Sequence, residues 1–202
     1  MNGQETEAKF YVGDLKQVER RLRKLGARLI QPHTFESNLR FDLPDGQLRR
    51  EEKVLRLRQD EGARITFKGP SMGKEGVLSR AEFETTLGDL ETGRQILEAL
   101  GYVLVATYEK YRSTYELNNL HIMLDELPYG DFLEIEGPDV ETLQKASKKL
   151  GLDFSAAIPA SYLALFENLC QLRDLDSAQL TFATLDGLQI TAEELSVRAA
   201  DK

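Results

Sequence analysis

The chain of 202 residues has a single cysteine, Cys170, two histidines, His33 and His121, and six prolines. One thiol makes no internal disulfide. With only two histidines to help, it also builds no zinc centre. Cys170 therefore reads as a small apolar residue on a helix. No apolar run approaches the roughly 20 residues of a membrane span, so no membrane partner is expected. The N-terminal stretch MNGQETEAKF is polar and lacks the apolar segment of a secretory signal, which predicts a cytoplasmic protein. Basic charge is in deficit: 26 Lys and Arg stand against 34 Asp and Glu, for a formal net charge of -8. Such a balance argues against nucleic acid as a partner, because neutralising phosphate along a strand needs a net basic face. It leaves room for a local cationic pocket.

What is present is a real core fraction, 41% apolar residues, and a plan that occurs three times. Glu5-Thr6-Glu7 leads to Asp14, a helix-like stretch and Leu25-Gly26. Glu82-Phe83-Glu84 leads to Asp89, a second stretch and Leu100-Gly101. Glu134-Ile135-Glu136 leads to Asp139, a third and Leu150-Gly151. Each unit reads as a strand, an Asp that caps a helix N-terminus, and a Gly just past its end. The helical stripes are Leu15, Val18, Leu22 and Leu25; Leu90, Ile96, Leu97 and Leu100; and Leu143 and Leu150.

Strand-like runs fill the intervals at Val54 to Arg58, Arg64 to Lys68, Tyr102 to Leu117 (one long bent strand or two) and Leu120 to Leu127. Turn residues such as Asn118-Asn119 separate them. Many such strands with helices at their junctions suggest an α+β chain built on a closed or nearly closed antiparallel barrel. Residues 69–79 hold three glycines and read as a loop from which Lys74 reaches a substrate on closure. Pro159 is placed to open a helix over Tyr162–Cys170 with Tyr162 in its core face, and Thr191 with Glu194 to cap a last short helix. The reading divides the chain into a main domain, 1–173, and a peripheral appendage, 174–202.

Side chains of a strand alternate between faces. Glu5, Glu7 and Lys9 share one face, as do Arg56 and Arg58; Arg64, Thr66 and Lys68; Arg80, Glu82 and Glu84; Lys110 and Arg112; and Glu134 and Glu136. Asp125 lies opposite Ile122 and Leu124. For any one strand the plain reading is a charged face in water. Basic and acidic strands recurring through the chain, with helices to be covered on the other side, point the charges inward instead. Burying them is costly unless they are paired or coordinated. A polyanion held by the Arg fork and the Lys point charge resolves that cost, with Mg²⁺ or Mn²⁺ on the carboxylates.

Glu5-x-Glu7-x-Lys9 resembles the ExExK signature of the CYTH superfamily, the triphosphate tunnel metalloenzymes. The resemblance continues in order through Leu55-Arg56-Leu57-Arg58, Thr66-Phe67-Lys68-Gly69, Arg80-Ala81-Glu82-Phe83-Glu84, Lys110-Tyr111-Arg112, Leu124-Asp125 and Phe132 to Gly137. It covers about residues 1–170 and looks closest to the class IV adenylate cyclase-like branch, which includes cyclases, thiamine triphosphatases and inorganic triphosphatases. It implies an eight-stranded antiparallel tunnel, a small-molecule triphosphate substrate and Mg²⁺ or Mn²⁺ dependence; a monomer or homodimer is expected. On this resemblance Glu5, Glu7 and Lys9 are catalytic. Lys9, Arg56, Arg58, Lys68, Arg80, Lys110 and Arg112 bind substrate. Glu5, Glu7, Glu82, Glu84, Asp125, Glu134 and Glu136 serve metal. One departure stands out: family members commonly have Tyr where this chain has Arg40, which lowers the expectation of a thiamine triphosphatase. The leading expectation is metal-dependent triphosphate hydrolysis. The alternatives are cyclisation of ATP to cyclic AMP and pyrophosphate, and non-catalytic polyphosphate binding.

Overall fold

The computed structural model describes residues 3–72 and 76–201; Lys74 lies outside the described residues. In chain order the elements are β1 (Gln4–Tyr11), α1 (Leu15–Lys24), β2 (Arg28–Asp42), α2 (Gln47–Arg50), β3 (Val54–Gln59), β4 (Ala63–Lys68), β5 (Val77–Leu87), α3 (Leu90–Ala99) and β6 (Val103–Leu117). There follow β7 (Leu120–Leu127), β8 (Gly130–Glu136), α4 (Val140–Lys149), α5 (Tyr162–Arg173) and β9 (Gln179–Leu180).

The three repeated units fold as their residues dictate. Asp14, Asp89 and Asp139 each accept a hydrogen bond from a first-turn backbone N–H, at Gln17, Thr92 and Thr142. Gly26, Gly101 and Gly151, just past the helix ends, take positive φ of 79°, 92° and 69°, a region that costs glycine little. Asn118, φ 57°, makes the tight β6–β7 hairpin. The run from Tyr102 resolves into one strand, β6, of 15 residues.

The strands order as β2-β3-β4-β5-β1-β8-β7-β6, and β2 pairs with β6 to close a ring of eight antiparallel strands. β9 adds in parallel to β6 at Thr107 and Tyr108, short of the β6 segment that β7 pairs. Alternation then puts the apolar faces outside, under the helices. Ala8 and Phe10 of β1 and Ile135 of β8 pack with Val18 and Leu22 of α1 and with Leu143 and Leu150. Leu55 and Leu57 of β3 meet Leu97 of α3. Phe132 meets Phe166 and Leu169 of α5. Each fully covered Leu or Phe contributes roughly 1.5–3 kcal/mol relative to leaving it in water. The charged faces are left with the barrel interior.

Four expectations change. Ile96 and Leu100 are 54% and 67% exposed, so α3 packs through Gly93 and Leu97, with Gly93 letting the helix approach Leu57 and Leu87. Pro159 precedes α5, whose N-cap is Ser161, its hydroxyl accepting from Ala164 N–H. Thr191 and Glu194 do exchange capping-box hydrogen bonds, but around a series of turns and not a helix. Residues beyond 173 are built into the domain. Leu180, Leu185 and Leu195 are buried with α5, Ala199 bridges Tyr11, and the Asp201 carboxylate accepts from the N–H groups of Gly13 and Asp14. Among the described residues no helix is long and apolar enough to cross a membrane.

Candidate active site

The inner face of the barrel lines a cavity of about 220 Å³ that opens into a wider one of about 890 Å³. Among the described residues, eight cationic and six acidic side chains line the narrower part. Of the residues picked by their charge alternation, Glu5, Glu7, Lys9, Arg56, Arg58, Lys68, Arg80, Glu82, Glu84, Lys110, Arg112, Glu134 and Glu136 all face it. Asp125 does not. It is wholly buried behind the wall, and its oxygens accept from Lys110 Nζ (3.0 Å), Arg112 Nε and Nη2 (2.6 and 2.5 Å) and the Tyr162 hydroxyl (2.8 Å). Asp125 thus clamps the cations.

Strand register sets the pairs. Glu5 lies across from Arg80, Lys9 from Glu134, Lys68 from Glu82, Arg112 from Asp125 and Glu36 from Lys110. Lys68 Nζ donates to both oxygens of Glu5 at 2.7 and 2.9 Å, and Arg80 Nε donates to Oε2 at 3.0 Å. Burial pushes the Glu5 carboxyl up, yet these two cations outweigh it and hold it at about 2. Lys9 Nζ sits 3.2 Å from Glu134 and donates to the Ala160 carbonyl at 3.1 Å. Burial of Glu134 is likewise overcome, by Lys9 and Arg112, so its carboxyl falls well below the usual range. Arg58 binds Glu84 at 3.2 Å, and Thr66 donates to the same carboxylate at 2.8 Å.

Glu7 is the contrast. Its nearest cation contact is Arg80 at 3.8 Å. Burial, reinforced by the negative charges of Glu134 and Glu5, raises its carboxyl to about 7. Burial also raises Glu82 and Glu136. This part of the wall therefore carries surplus carboxylate, an all-oxygen donor set that a hard divalent cation relieves. Among the described residues no three acidic or imidazole side chains already converge on one point.

The charges are unevenly spread along the barrel. Lys9, Arg40, Arg56, Lys68, Arg80 and Lys110, with the acids Glu7 and Glu134, line only the narrow part, together with Ser161 to Leu163 of α5. Glu5, Glu82, Glu84 and Glu136 also face the wide mouth, mixed there with Arg58, Arg64 and Arg112, and the mouth further includes Ile30, Phe83 and the exposed His121. His33 is outside this lining, stacked on Tyr111 at 4.6 Å.

Sequence reasoning passed over several residues. Tyr162 belongs to the core, as expected, but it also holds Asp125 and lies under Lys9 Nζ, 4.1 Å from the ring centroid. Arg56 Nη1 donates to the Tyr108 hydroxyl at 3.0 Å. Glu36 is fully buried between Lys110 (3.7 Å) and Arg58 (3.8 Å), and Asn38 beside it is equally buried. Burial of Glu36 is outweighed by Lys110, Arg112 and Arg58, which bring its carboxyl to about 2. Glu36, Asn38 and Arg40 alternate along β2, the same signal that marked the other strands.

The family model described as CYTH domain matches residues 3–157. A Methanocaldococcus jannaschii protein named "Putative adenylate cyclase" is 30% identical over 172 residues, 80% of this chain and 97% of that one. The structure of the PH1012 protein of Pyrococcus horikoshii superposes with a TM-score of 0.68 at 26% identity, covering 78% of this chain and 96% of that one. A Hippeastrum protein described as showing a dominant triphosphatase activity has a TM-score of 0.59 at 20% identity, covering 81% and 95%.

Proposed function

This chain belongs to the CYTH domain family, and from that premise we propose that it hydrolyses a triphosphate inside the barrel with the help of Mg²⁺ or Mn²⁺. The substrate is inorganic tripolyphosphate or an organic or nucleoside triphosphate. The observation that carries the proposal is the uneven charge of the cavity: Lys9, Arg40, Arg56, Lys68, Arg80 and Lys110 outnumber Glu7 and Glu134 in the narrow part beside α5, while cations and carboxylates mix toward the mouth. Hydrolysis needs a grip on the phosphates, neutralisation of the charge that develops, and a placed water.

Arg56, Arg58, Lys68, Arg80, Lys110 and Arg112 supply the grip. The guanidinium groups match phosphoryl oxygens through two parallel hydrogen bonds, and the lysines act as point charges. Glu5, Glu84 and Asp125 hold most of these cations in place before a ligand arrives, so little is spent ordering them on binding. Lys9, fixed between Glu134 and the Ala160 carbonyl, adds one charge to the wall of the narrow cavity. One or two of Glu5, Glu7 and Glu134 would hold the divalent cation, which when bound would neutralise charge on the transferring phosphoryl group. Glu82 and Glu136, whose carboxyls are raised, are placed to take the proton that water gives up.

A second reading rests on the wide mouth. With Ile30 and Phe83 at its rim and the buried Met123 deeper in its wall, it offers apolar surface to a nucleobase, which an adenylate cyclase would need. Product analysis separates the two. The purified protein is incubated with Mg²⁺ or Mn²⁺ and either tripolyphosphate or ATP. Orthophosphate, formed from tripolyphosphate at a higher kcat/KM than any product from ATP, is the expected result. Cyclic AMP and pyrophosphate as the main products from ATP would reverse the order, and no turnover of either would leave a binding module.

A further inference from the structure

Of the eight cations that line the narrow cavity, seven have an acidic partner within the barrel. Lys9 has Glu134, Arg56 and Arg58 have Glu84, Lys68 and Arg80 have Glu5, and Lys110 and Arg112 have Asp125. Arg40 is the exception. Among the described residues it makes no hydrogen bond or ion pair, and its buried Nε has no acceptor. The acid nearest in sequence, Asp42, is committed elsewhere, accepting from the N–H groups of Leu43, Leu48 and Arg49. Strand register sets Arg40 directly opposite Arg56, a like-charge pair that destabilises a sheet. The arrangement costs stability unless an anion occupies it.

The surroundings fit an anion. Arg40, Arg56, Lys9 and Lys110 share the narrow cavity with Ser161, Tyr162 and Leu163, the N-cap and first residues of the 12-residue α5. The Ser161 hydroxyl takes the Ala164 N–H. The N–H groups of Tyr162 and Leu163 belong to the first turn and have no acceptor within the helix. First-turn donors and the positive end of a helix favour a phosphoryl group.

We propose that Arg40, with the first turn of α5, forms the subsite for the terminal, unesterified phosphoryl group of the substrate. This rests on the triphosphate reading of the cavity and adds a direction to it. The free end of the chain lies against α5, and whatever the triphosphate is attached to faces the wide mouth. Arg40 then fixes which phosphoryl group sits over the carboxylates, so it determines specificity without taking part in bond breaking.

Calorimetric titration with inorganic tripolyphosphate, in chelator so that no turnover intervenes, tests this on the wild type and on Arg40→Met. Loss of one charge-assisted grip predicts affinity about 10- to 100-fold weaker. The melting temperature of ligand-free Arg40→Met is expected to equal or exceed that of the wild type, since an uncompensated cation has been removed. Unchanged affinity, or a lower melting temperature with affinity intact, would overturn the proposal and make Arg40 structural. If Arg40→Met does not fold, Arg40→Gln keeps length and polarity without the charge, and the same loss of affinity is required of it. Failure of the wild type itself to bind tripolyphosphate would instead remove the triphosphate reading on which the subsite stands.

Discussion

Asp125→Asn separates two roles for one carboxylate. As a metal ligand, Asp125 would matter to turnover and little to folding. As the clamp seen here, it holds Lys110, Arg112 and the Tyr162 hydroxyl at 2.5–3.0 Å while wholly buried. Asparagine keeps the shape but turns one acceptor into a donor facing other donors, and it removes one countercharge from two buried cations, leaving Arg112 with Glu134 at 2.5 Å and Lys110 with Glu36 at 3.7 Å. Removing one partner of a buried ion pair costs about 3–5 kcal/mol. A domain of this kind has a total stability of roughly 5–15 kcal/mol. At about 2–4 °C per kcal/mol for a chain of this size, the melting temperature should fall by roughly 6–20 °C. Differential scanning fluorimetry on the chelated protein measures it. Tripolyphosphate should recover part of the loss, because a polyanion gives Lys110 and Arg112 a new partner. A variant that melts with the wild type but binds Mg²⁺ or Mn²⁺ more weakly would refute the clamp and restore the ligand.

Three further outcomes are expected. Glu7, at about 7 in the folded chain against 4.5 in the unfolded, contributes stability that is intact below pH 4.5 and lost as pH rises through 7, on the order of 3 kcal/mol. In chelator, Glu7→Gln should therefore match the wild type near pH 5 and outlast it in melts at pH 8, and with Mg²⁺ or Mn²⁺ supplied it should lose about 10²-fold or more in turnover; parallel melting profiles would show that Glu7 does not titrate in this range. Tyr162→Phe removes one hydrogen bond to a buried carboxylate but keeps the ring under Lys9, so chemical denaturation should show a loss of about 1.5–3 kcal/mol, and no loss would mean the hydroxyl is idle. Leu195→Ala, at a fully buried tail position, should cost about 2–5 kcal/mol in the same assay, whereas a loosely attached tail would give none.

Much of the barrel could be read from period two. Glu5-Glu7-Lys9, Arg56-Arg58 and Glu134-Glu136 alternate with apolar residues that the helices then cover, and the three Asp and Gly signals delimited α1, α3 and α4. Period alone does not say whether a charged face meets solvent or a cavity. It took recurrence through the chain to suggest the second. β2 escaped this reasoning because its first half is exposed and its register with β6 shifts at Leu29/Gln31, Gln31/Thr34 and Arg40/Phe41. Glu36 and Asn38 were hidden within an irregular strand, and Arg40 registered only as a departure from a family pattern. The resemblance implies a metal role for Asp125, and its partners Lys110, Arg112 and Tyr162, on β6 and α5, are too distant in sequence for the clamp to be read from spacing. The role of Tyr162 was obscured for the same reason, a side chain with one end in the core and the other on a charge network.

β1 is the first strand made, yet its neighbours are β5 and β8, whose pairing residues span 77–81 and 132–136. During synthesis Glu5 waits for Lys68 and Arg80, and Lys9 waits for Glu134. One edge of β1 stays open until about two fifths of these residues have been made and the other until about two thirds, and Asp201 fastens its far end later still. Contacts between such distant segments make folding slow, and an unpaired edge is exposed to other chains in the meantime. The charges that later grip a polyanion thus have an earlier use in time: a young β1 bearing Glu5, Glu7 and Lys9 is a poor template for aggregation while it waits.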